Sequence, residues 1–172
     1  STKTAIALLA IAFCAVTASA QITLFYEDFS TNNQGWTLGT EWQIGPATAS
    51  GAWTGGSFGD PGVDADGVPG GGIAGVIIGG NCGTAIHAAY NLDSPVIPLT
   101  PGLATILTFK RWLNSDYPPY LTHSISVFDG TNWVAIFTQA NNASSFQENA
   151  WTTVTYDVSA YANPNFQVRF SH

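Results

Sequence analysis

Three aspartates within seven residues give the sequence its first chemical possibility. Asp60, Asp64 and Asp66 lie in a glycine-rich segment, residues 45–83, which contains 14 of the 18 glycines. Hard cations such as Ca²⁺ take several oxygen ligands at once, and a flexible loop can wrap carboxylates and backbone carbonyls around one. We therefore predict that these three carboxylates bind calcium. The alternative is a solvated acidic loop in which the aspartates make local turns with the backbone.

A second group of residues has the types expected for recognising a sugar. Tyr117 and Tyr120 flank a diproline, and Asp116 precedes them. Rigid exposed aromatic rings stack on the apolar faces of sugars, and a neighbouring carboxylate can accept hydrogen bonds from hydroxyl groups. Trp53, in the glycine-rich segment, is a further candidate of the same kind. We predict that these residues bind a ligand such as a glycan, with a packed turn stiffened by proline as the alternative.

Patterns typical of enzymes occur in the chain but lack the elements that such sites need. Residues 55–59 match the string around a serine nucleophile and residues 70–75 match a dinucleotide fingerprint, but no helix pattern follows either one. His87, His123 and His172 are not paired at metal-site spacing. A zinc centre would therefore have to be assembled from distant elements, and we predict surface or hydrogen-bonded histidines. We expect a protein that is not an enzyme; a hydrolase whose carboxylates meet only in the fold is the less favoured alternative.

Short strands are the elements that must position these groups. Residues 153–158 and 166–171 alternate apolar with polar side chains, which is typical of half-buried antiparallel strands. Residues 125–127 and 133–137 flank an Asp-Gly-Thr-Asn turn and indicate a hairpin. Other apolar runs predict strands at 22–29, 36–44, 73–78, 86–97 and 103–112. About nine short strands in roughly 150 residues predict an all-β fold, a two-sheet antiparallel sandwich of jelly-roll type, over residues 21–172.

Composition excludes two classes of protein. The chain has four lysine and arginine residues and eleven aspartate and glutamate residues, which gives a formal net charge of −7. A nucleic-acid partner is therefore not expected, because neutralising phosphates takes a basic face. Hydrophobic residues make up 45% of the chain and charged residues 9%, which excludes an intrinsically disordered protein because so much apolar surface can be buried.

The beginning of the sequence resembles a targeting signal. Lys3 precedes an apolar run, residues 5–16, and then small residues up to Ala20. This order predicts a cleavable hydrophobic signal helix at 1–20 and a secreted or cell-surface protein that starts at Gln21. The run is too short for a transmembrane segment. Because the sequence stops inside a predicted strand, we expect the natural protein to continue past His172 with further domains, and Cys82 to be a buried hydrophobe or to pair with a cysteine there.

Several short motifs, taken in order, resemble one group of secreted modules. The sequence carries E-D-F followed by Q-G-W, then W-Q-I-G-P, L-D-S-P-V-I, L-T-F-K-R-W and V-F-D-G-T-N-W, at residues 27–36, 42–46, 92–97, 107–112 and 127–133. Together they resemble the MAM-like, cleaved-adhesin and choice-of-anchor type jelly-roll domains of bacterial surface proteins. The resemblance implies a β-sandwich module that often carries calcium in its loops, occurs beside peptidases, glycosidases or adhesive repeats, and is not itself catalytic.

These observations predict a function in binding. We expect a secreted or cell-surface module that attaches to an extracellular glycan, protein or matrix, with adhesion as its purpose. The alternative from another class is a structural spacer domain of a longer surface protein, in which none of the candidate residues lines a site.

Overall fold

The structure, a computed structural model, describes residues 21–51 and 58–172. The predicted signal helix at 1–20 and the candidate ligand residue Trp53 therefore lie outside the described residues. Regular structure in the described segments consists of β-strands and one 3₁₀ turn at Ser159–Tyr161, which confirms the predicted all-β class. A search of the same segments finds no helix with the length and apolar character needed to cross a membrane.

The strands pair antiparallel throughout the described residues. In chain order they are β1 (Thr37–Leu38), β2 (Trp42–Pro46), β3 (Gly72–Val76), β4 (Asn91–Asp93), β5 (Ile106–Arg111), β6 (Asn114–Ser115), β7 (Ser124–Phe128), β8 (Trp133–Thr138), β9 (Phe146–Gln147), β10 (Thr152–Asp157) and β11 (Val168–Ser171). One sheet has the order β1-β4-β11-β7-β8, and three two-stranded sheets pair β10 with β5, β2 with β3, and β6 with β9.

Four of these pairs are nested around a single turn. β7 pairs with β8, β6 with β9, β5 with β10, and β4 with β11. The segment from β4 to β11 therefore folds back on itself like one long hairpin, which is then distributed over two layers. Consequently residues far apart in sequence, near β4 and after β11, meet as direct neighbours.

The predicted hairpin at the centre of this nest forms as expected. The carboxylate of Asp129 accepts hydrogen bonds from the backbone N–H groups of Thr131 and Asn132, each at 2.8 Å. These bonds stabilise the charged carboxylate and lower the pKa of Asp129. The turn therefore fixes the β7–β8 pairing by a local side-chain interaction.

Three predicted strands differ from the structure. The run at 36–44 is divided into β1 and β2 by a turn, in which the N–H of Trp42 donates to the carbonyl of Gly39 at 3.1 Å. Residues 22–29 are described but form no strand, because the side chains of Glu27 and Asp28 bind the backbone N–H groups of Phe29 and Ser30 and compete with ladder pairing. The run at 86–97 contains only the three-residue strand β4. Beyond it the N–H groups of Ser94 and Ile97 still donate to the carbonyls of Val168 and Phe166, but Pro95 has no N–H to donate, so the regular ladder ends.

The core lies between the five-stranded sheet and the β5–β10 pair. Val127 in β7 and Val168 in β11 are 0% and 2% exposed, and Val158, directly after β10, is 1% exposed. Leu107 and Phe109 of β5 pack against this cluster from the other layer. This arrangement, with alternating inward side chains from two antiparallel layers, is sandwich-like.

Candidate metal centre

Three side chains with metal-ligating atoms converge at one end of the five-stranded sheet. The ligand atoms of Glu41, His87 and His172 all lie within 4.8 Å of one another. Glu41 directly precedes β2, His87 lies in the loop before β4, and His172 directly follows β11. Each comes from a different part of the chain, so the fold itself builds the group.

The pairing of β4 with β11 determines the position of His172. The register continues past both strands, because the N–H of Tyr90 donates to the carbonyl of His172 at 2.9 Å and the N–H of His172 donates to the carbonyl of Tyr90 at 3.2 Å. The ring of His87 stacks on the ring of Tyr90 with centroids 3.8 Å apart. Tyr90 therefore brings both imidazoles to the same place.

Gly39, two residues before Glu41, lies so close to the backbone of β4 that only glycine fits there. The N–H of Gly39 donates to the carbonyl of Asn91 at 2.8 Å. A Cβ at position 39 would lie 2.5 Å from that carbonyl oxygen, so a larger residue would push the segment away. The close approach lets Glu41 reach the histidines, and the N–H of Gly83 donates to its Oε1 at 3.2 Å.

His172 is buried in a way that calls for a partner. Its side chain is 1% exposed, and neither ring nitrogen makes a hydrogen bond of good geometry with a described residue, although the backbone of Thr40 lies close enough to act against the lowering of its pKa. The Oε2 of Glu41 is likewise buried and without a partner in these segments, and it lies 4.0 Å from the Nε2 of His172. Two ligands bound at about 2.1 Å to one tetrahedral ion are about 3.4 Å apart. A small closure of the pair would therefore let both atoms bind the same ion.

The hydrogen bond of His87 sets a tautomer that suits a metal ligand. Its Nδ1 lies 2.7 Å from the carbonyl oxygen of Ala88, and since a carbonyl only accepts, Nδ1 carries the proton. Nε2 is then the nitrogen with a free lone pair. Metal-bound histidines usually donate their other N–H to a carbonyl or carboxylate in this way, which fixes the ring.

Burial lowers the pKa of two of the histidines. Burial lowers the pKa of His172, against the opposing effect of Glu41. His123, whose ring centroid lies 6.3 Å from that of His172, has its pKa lowered to about 4, mainly by burial. Neutral imidazole is the form that binds metal ions. Cys82 is a free thiol whose pKa is raised by burial and by the charge of Glu41.

Two of the three predicted calcium ligands, Asp60 and Asp64, accept hydrogen bonds from the protein. The carboxylate of Asp60 accepts a hydrogen bond from the hydroxyl of Ser50 at 3.0 Å. Oδ1 of Asp64 accepts from the N–H groups of Asp66 and Val68 at 3.1 and 2.9 Å. Within the described residues these aspartates do not form a group with converging ligand atoms. Calcium binding by this loop stays a prediction from the sequence.

The tyrosine loop brings its candidate residues together. The rings of Tyr117 and Tyr120 meet edge to face with centroids 5.3 Å apart. Tyr120 is 69% exposed, and the carboxylate of Asp116 accepts the N–H of Tyr117 at 2.8 Å. The exposed ring is available to a ligand, whereas the structure does not describe Trp53.

The expectation of surface or hydrogen-bonded histidines is wrong for His172 and also for His123, whose Nε2 is buried without a partner in the described residues. Sequence spacing reveals metal ligands only when they lie close together on one element. Here the strand register brings together residues from three distant parts of the chain. The one local signal was the alternation that placed β11 and hence the residue that follows it.

No protein-family model, curated protein or solved structure matches the chain.

Proposed function

We propose that this chain is a β-sandwich binding module that holds a Zn²⁺ ion between Glu41, His87 and His172. The observation that carries the proposal is the buried imidazole of His172, neither of whose nitrogens makes a well-formed hydrogen bond with a described residue, while Oε2 of Glu41 lies 4.0 Å from its Nε2. A buried polar atom without a partner costs about 1–3 kcal/mol. One bound cation would give a partner to a nitrogen of His172 and to the carboxylate at the same time.

The ligand types favour a transition metal over calcium. Two imidazole nitrogens and one carboxylate oxygen suit Zn²⁺, whereas Ca²⁺ takes six to eight oxygen ligands. Three protein ligands leave the fourth tetrahedral position to water or to a donor atom of a ligand. An open position fits a module that binds something through its metal.

Calorimetric titration of metal-free protein with ZnCl₂ tests the proposal. We expect one ion per chain, with binding weakened at least tenfold in Glu41→Gln, which keeps the oxygen that accepts from Gly83 but loses the charge. His172→Ala removes a second ligand and should have a similar effect. Asp64→Asn is the matched control, because it changes an acid of the glycine-rich segment and should leave zinc binding unchanged. Equal zinc binding by all four proteins would contradict the proposal.

We also propose that the module is of the jelly-roll type and resembles MAM-like surface domains. The nested pairing of β4 with β11, β5 with β10, β6 with β9 and β7 with β8 supports this connectivity, because a jelly roll is a long hairpin wound over two sheets. A secreted or cell-surface location and a role in adhesion follow from this resemblance and from the predicted signal segment.

A second candidate function is glycan binding at the tyrosine loop, favoured by the exposed ring of Tyr120. Affinity electrophoresis in gels containing soluble polysaccharides tests it. Retardation should be lost in Tyr120→Ala and kept in Tyr26→Ala, a matched control because Tyr26 is also 69% exposed but lies elsewhere. Equal retardation of both variants would contradict binding at this loop.

A further inference from the structure

A cavity of about 260 Å³ lies where an edge of β3 and an edge of β5 face the same space. Its lining includes residues 73–76 of β3 and residues 109–114, which belong to β5 and to the chain just after it. Successive side chains of a strand point to opposite faces of a sheet. Consecutive residues can therefore line one cavity only where the backbone edge of the strand faces it. We call this cavity the interstrand slot.

The edge of β5 that faces the slot has free backbone groups. Within residues 21–51 and 58–172, β5 pairs only with β10. The N–H of Val158 donates to the carbonyl of Thr105 at 2.9 Å, in register with this ladder. Hydrogen-bonded pairs alternate along an antiparallel ladder. The backbone N–H and C=O groups of Phe109 therefore face β10, and those of Lys110 face the slot.

The edge of β3 is free in the same way. In the described segments β3 pairs only with β2. The N–H of Ile77 donates to the carbonyl of Glu41 at 3.0 Å, in register with the β2–β3 ladder. The same alternation turns the backbone groups of Ala74 and Val76 away from β2. Two unpaired strand edges on one cavity offer donors and acceptors for one further strand.

The base of the slot is apolar. It contains residues from β5 and from the five-stranded sheet, namely Leu92, Phe109, Ile125, Phe137 and Phe170. Ile125 belongs to the buried core, and the three phenylalanines pack against that core. An apolar cavity of about 150 Å³ holds benzene, so the slot has room for one or two apolar side chains. On a strand, two such side chains on the same face stand two residues apart.

The charges along the slot favour an acidic residue beside β5. Lys110 donates to the hydroxyl of Thr153 at 2.6 Å and makes no ion pair in the described part of the chain. Arg111 is already paired with Glu148. Asp60 is also in the lining but lies outside both strands, so it does not set the residue opposite β5. Opposite charges on neighbouring strands stabilise their pairing and like charges destabilise it.

We propose that the interstrand slot binds an extended segment of another protein, which enters as a β-strand with alternate apolar residues in the slot and an acidic residue opposite Lys110. Strand addition of this kind takes affinity from main-chain hydrogen bonds and specificity from side-chain pockets. A second copy of the chain is the less favoured source, because its unpaired apolar segment at 22–26 is already anchored: Phe25 packs on Trp36 with ring centroids 6.4 Å apart. None of the three zinc ligands lines the slot, so this site is independent of the zinc site.

Fluorescence anisotropy with labelled synthetic peptides tests the proposal on the intact chain. The probe is Thr-Val-Glu-Val-Thr, whose two valines point to one face of a strand and whose glutamate points to the other. We expect saturable binding, at least tenfold tighter than that of Val-Val-Glu-Thr-Thr, which has the same composition without the alternation. Methylating the backbone nitrogens of both valines removes two donors that face one edge. Each net hydrogen bond changes affinity by about fivefold, so this peptide should bind at least tenfold more weakly than the probe.

A charge reversal tests the register at Lys110. Lys110→Glu should weaken binding of Thr-Val-Glu-Val-Thr by about threefold and strengthen binding of Thr-Val-Lys-Val-Thr by a similar factor. Thr131→Glu is the matched control, because it adds the same charge at an exposed position of the β7–β8 turn, outside the slot. It should leave the affinity of both peptides unchanged.

Four outcomes would overturn the proposal, and three of them need no variant. Absence of saturable binding by Thr-Val-Glu-Val-Thr would remove the site. Equal affinity of the probe and its rearranged or methylated form would exclude strand addition. A dimer in sedimentation equilibrium that the probe does not dissociate would assign the slot to a second copy. An unchanged preference between the two charged peptides in Lys110→Glu would place the bound strand elsewhere.

Discussion

Removing Glu148 should destabilise the fold by leaving Arg111 buried without its charge partner. The guanidinium Nη2 lies 2.8 Å from Oε1 of Glu148, and the two side chains are 18% and 11% exposed. Oε2 of Glu148 also accepts the N–H of Leu113 at 2.7 Å. The guanidinium stands 4.7 Å from the ring centre of Phe146, which limits its access to water. Glu148→Ala therefore removes an ion pair and a backbone acceptor together.

The expected magnitude follows from the burial of the pair. Removing one partner of a fully buried pair costs about 3–5 kcal/mol, and the partial exposure of both side chains places Glu148→Ala near about 3 kcal/mol. For a domain of this size, about 1 kcal/mol lowers the Tm by about 2–4 °C, so the melting temperature should fall by about 6–12 °C. Urea unfolding followed by tryptophan fluorescence measures the change in the free energy of unfolding, with an unchanged m-value as evidence that the fold is intact.

The double variant Arg111→Met/Glu148→Leu tests the cause. If the loss comes from an uncompensated charge, removing both charges should restore most of the stability. The remaining deficit should be about 1 kcal/mol, for the backbone acceptor lost at Leu113. A double variant as unstable as Glu148→Ala, or a single variant that loses less than about 1 kcal/mol, would refute this reasoning because the pair would then behave as a surface ion pair.

Three further predictions concern the core, the approach to the metal centre and acid stability. Val127→Ala should cost about 2–3 kcal/mol in urea unfolding, because the side chain is fully buried, whereas Val96→Ala at 51% exposure should cost under about 0.5 kcal/mol. Gly39→Ala should lower the free energy of unfolding by about 1–3 kcal/mol and weaken zinc binding, because the added Cβ would collide with the β4 backbone. Gly45→Ala is the control and should change neither quantity, because the space around Gly45 is open. Two hydrogen bonds from backbone N–H groups lower the pKa of Asp129 in the folded chain. The stability that its charged carboxylate contributes is therefore present above the pKa that Asp129 has in the unfolded chain, and it is lost as the pH falls through the pKa of the folded chain. Asp129→Asn should therefore lose less stability than the natural chain between pH 5 and pH 3 in urea unfolding, and equal losses would contradict this assignment.

Local patterns predict much of the fold because they need no knowledge of distant partners. Local sequence patterns place β7, β8 and β10 within one residue of their observed bounds and β11 within two, because β11 begins at Val168 and not at 166. The tyrosine loop is equally local, since Tyr117 and Tyr120 are three positions apart. The predicted strand at 22–29 is wrong, and at its end the side chains of Glu27 and Asp28 bind backbone N–H groups.

The candidate sites depend on long-range register, which the sequence pattern does not reveal. His172 meets His87 only because β11 pairs with β4 and the pairing continues to Tyr90. Geometry of this kind comes from the assembled sheets, so a histidine that looks isolated in sequence can still be part of a metal centre.

The most direct test of the zinc centre is a crystal of the protein grown with ZnCl₂ and measured at the zinc absorption edge. We predict an anomalous difference peak between Glu41, His87 and His172, at about 2.0–2.2 Å from one oxygen and two nitrogens. A map without a peak at this position, or with its zinc peak at the aspartates of the glycine-rich segment, would contradict the account.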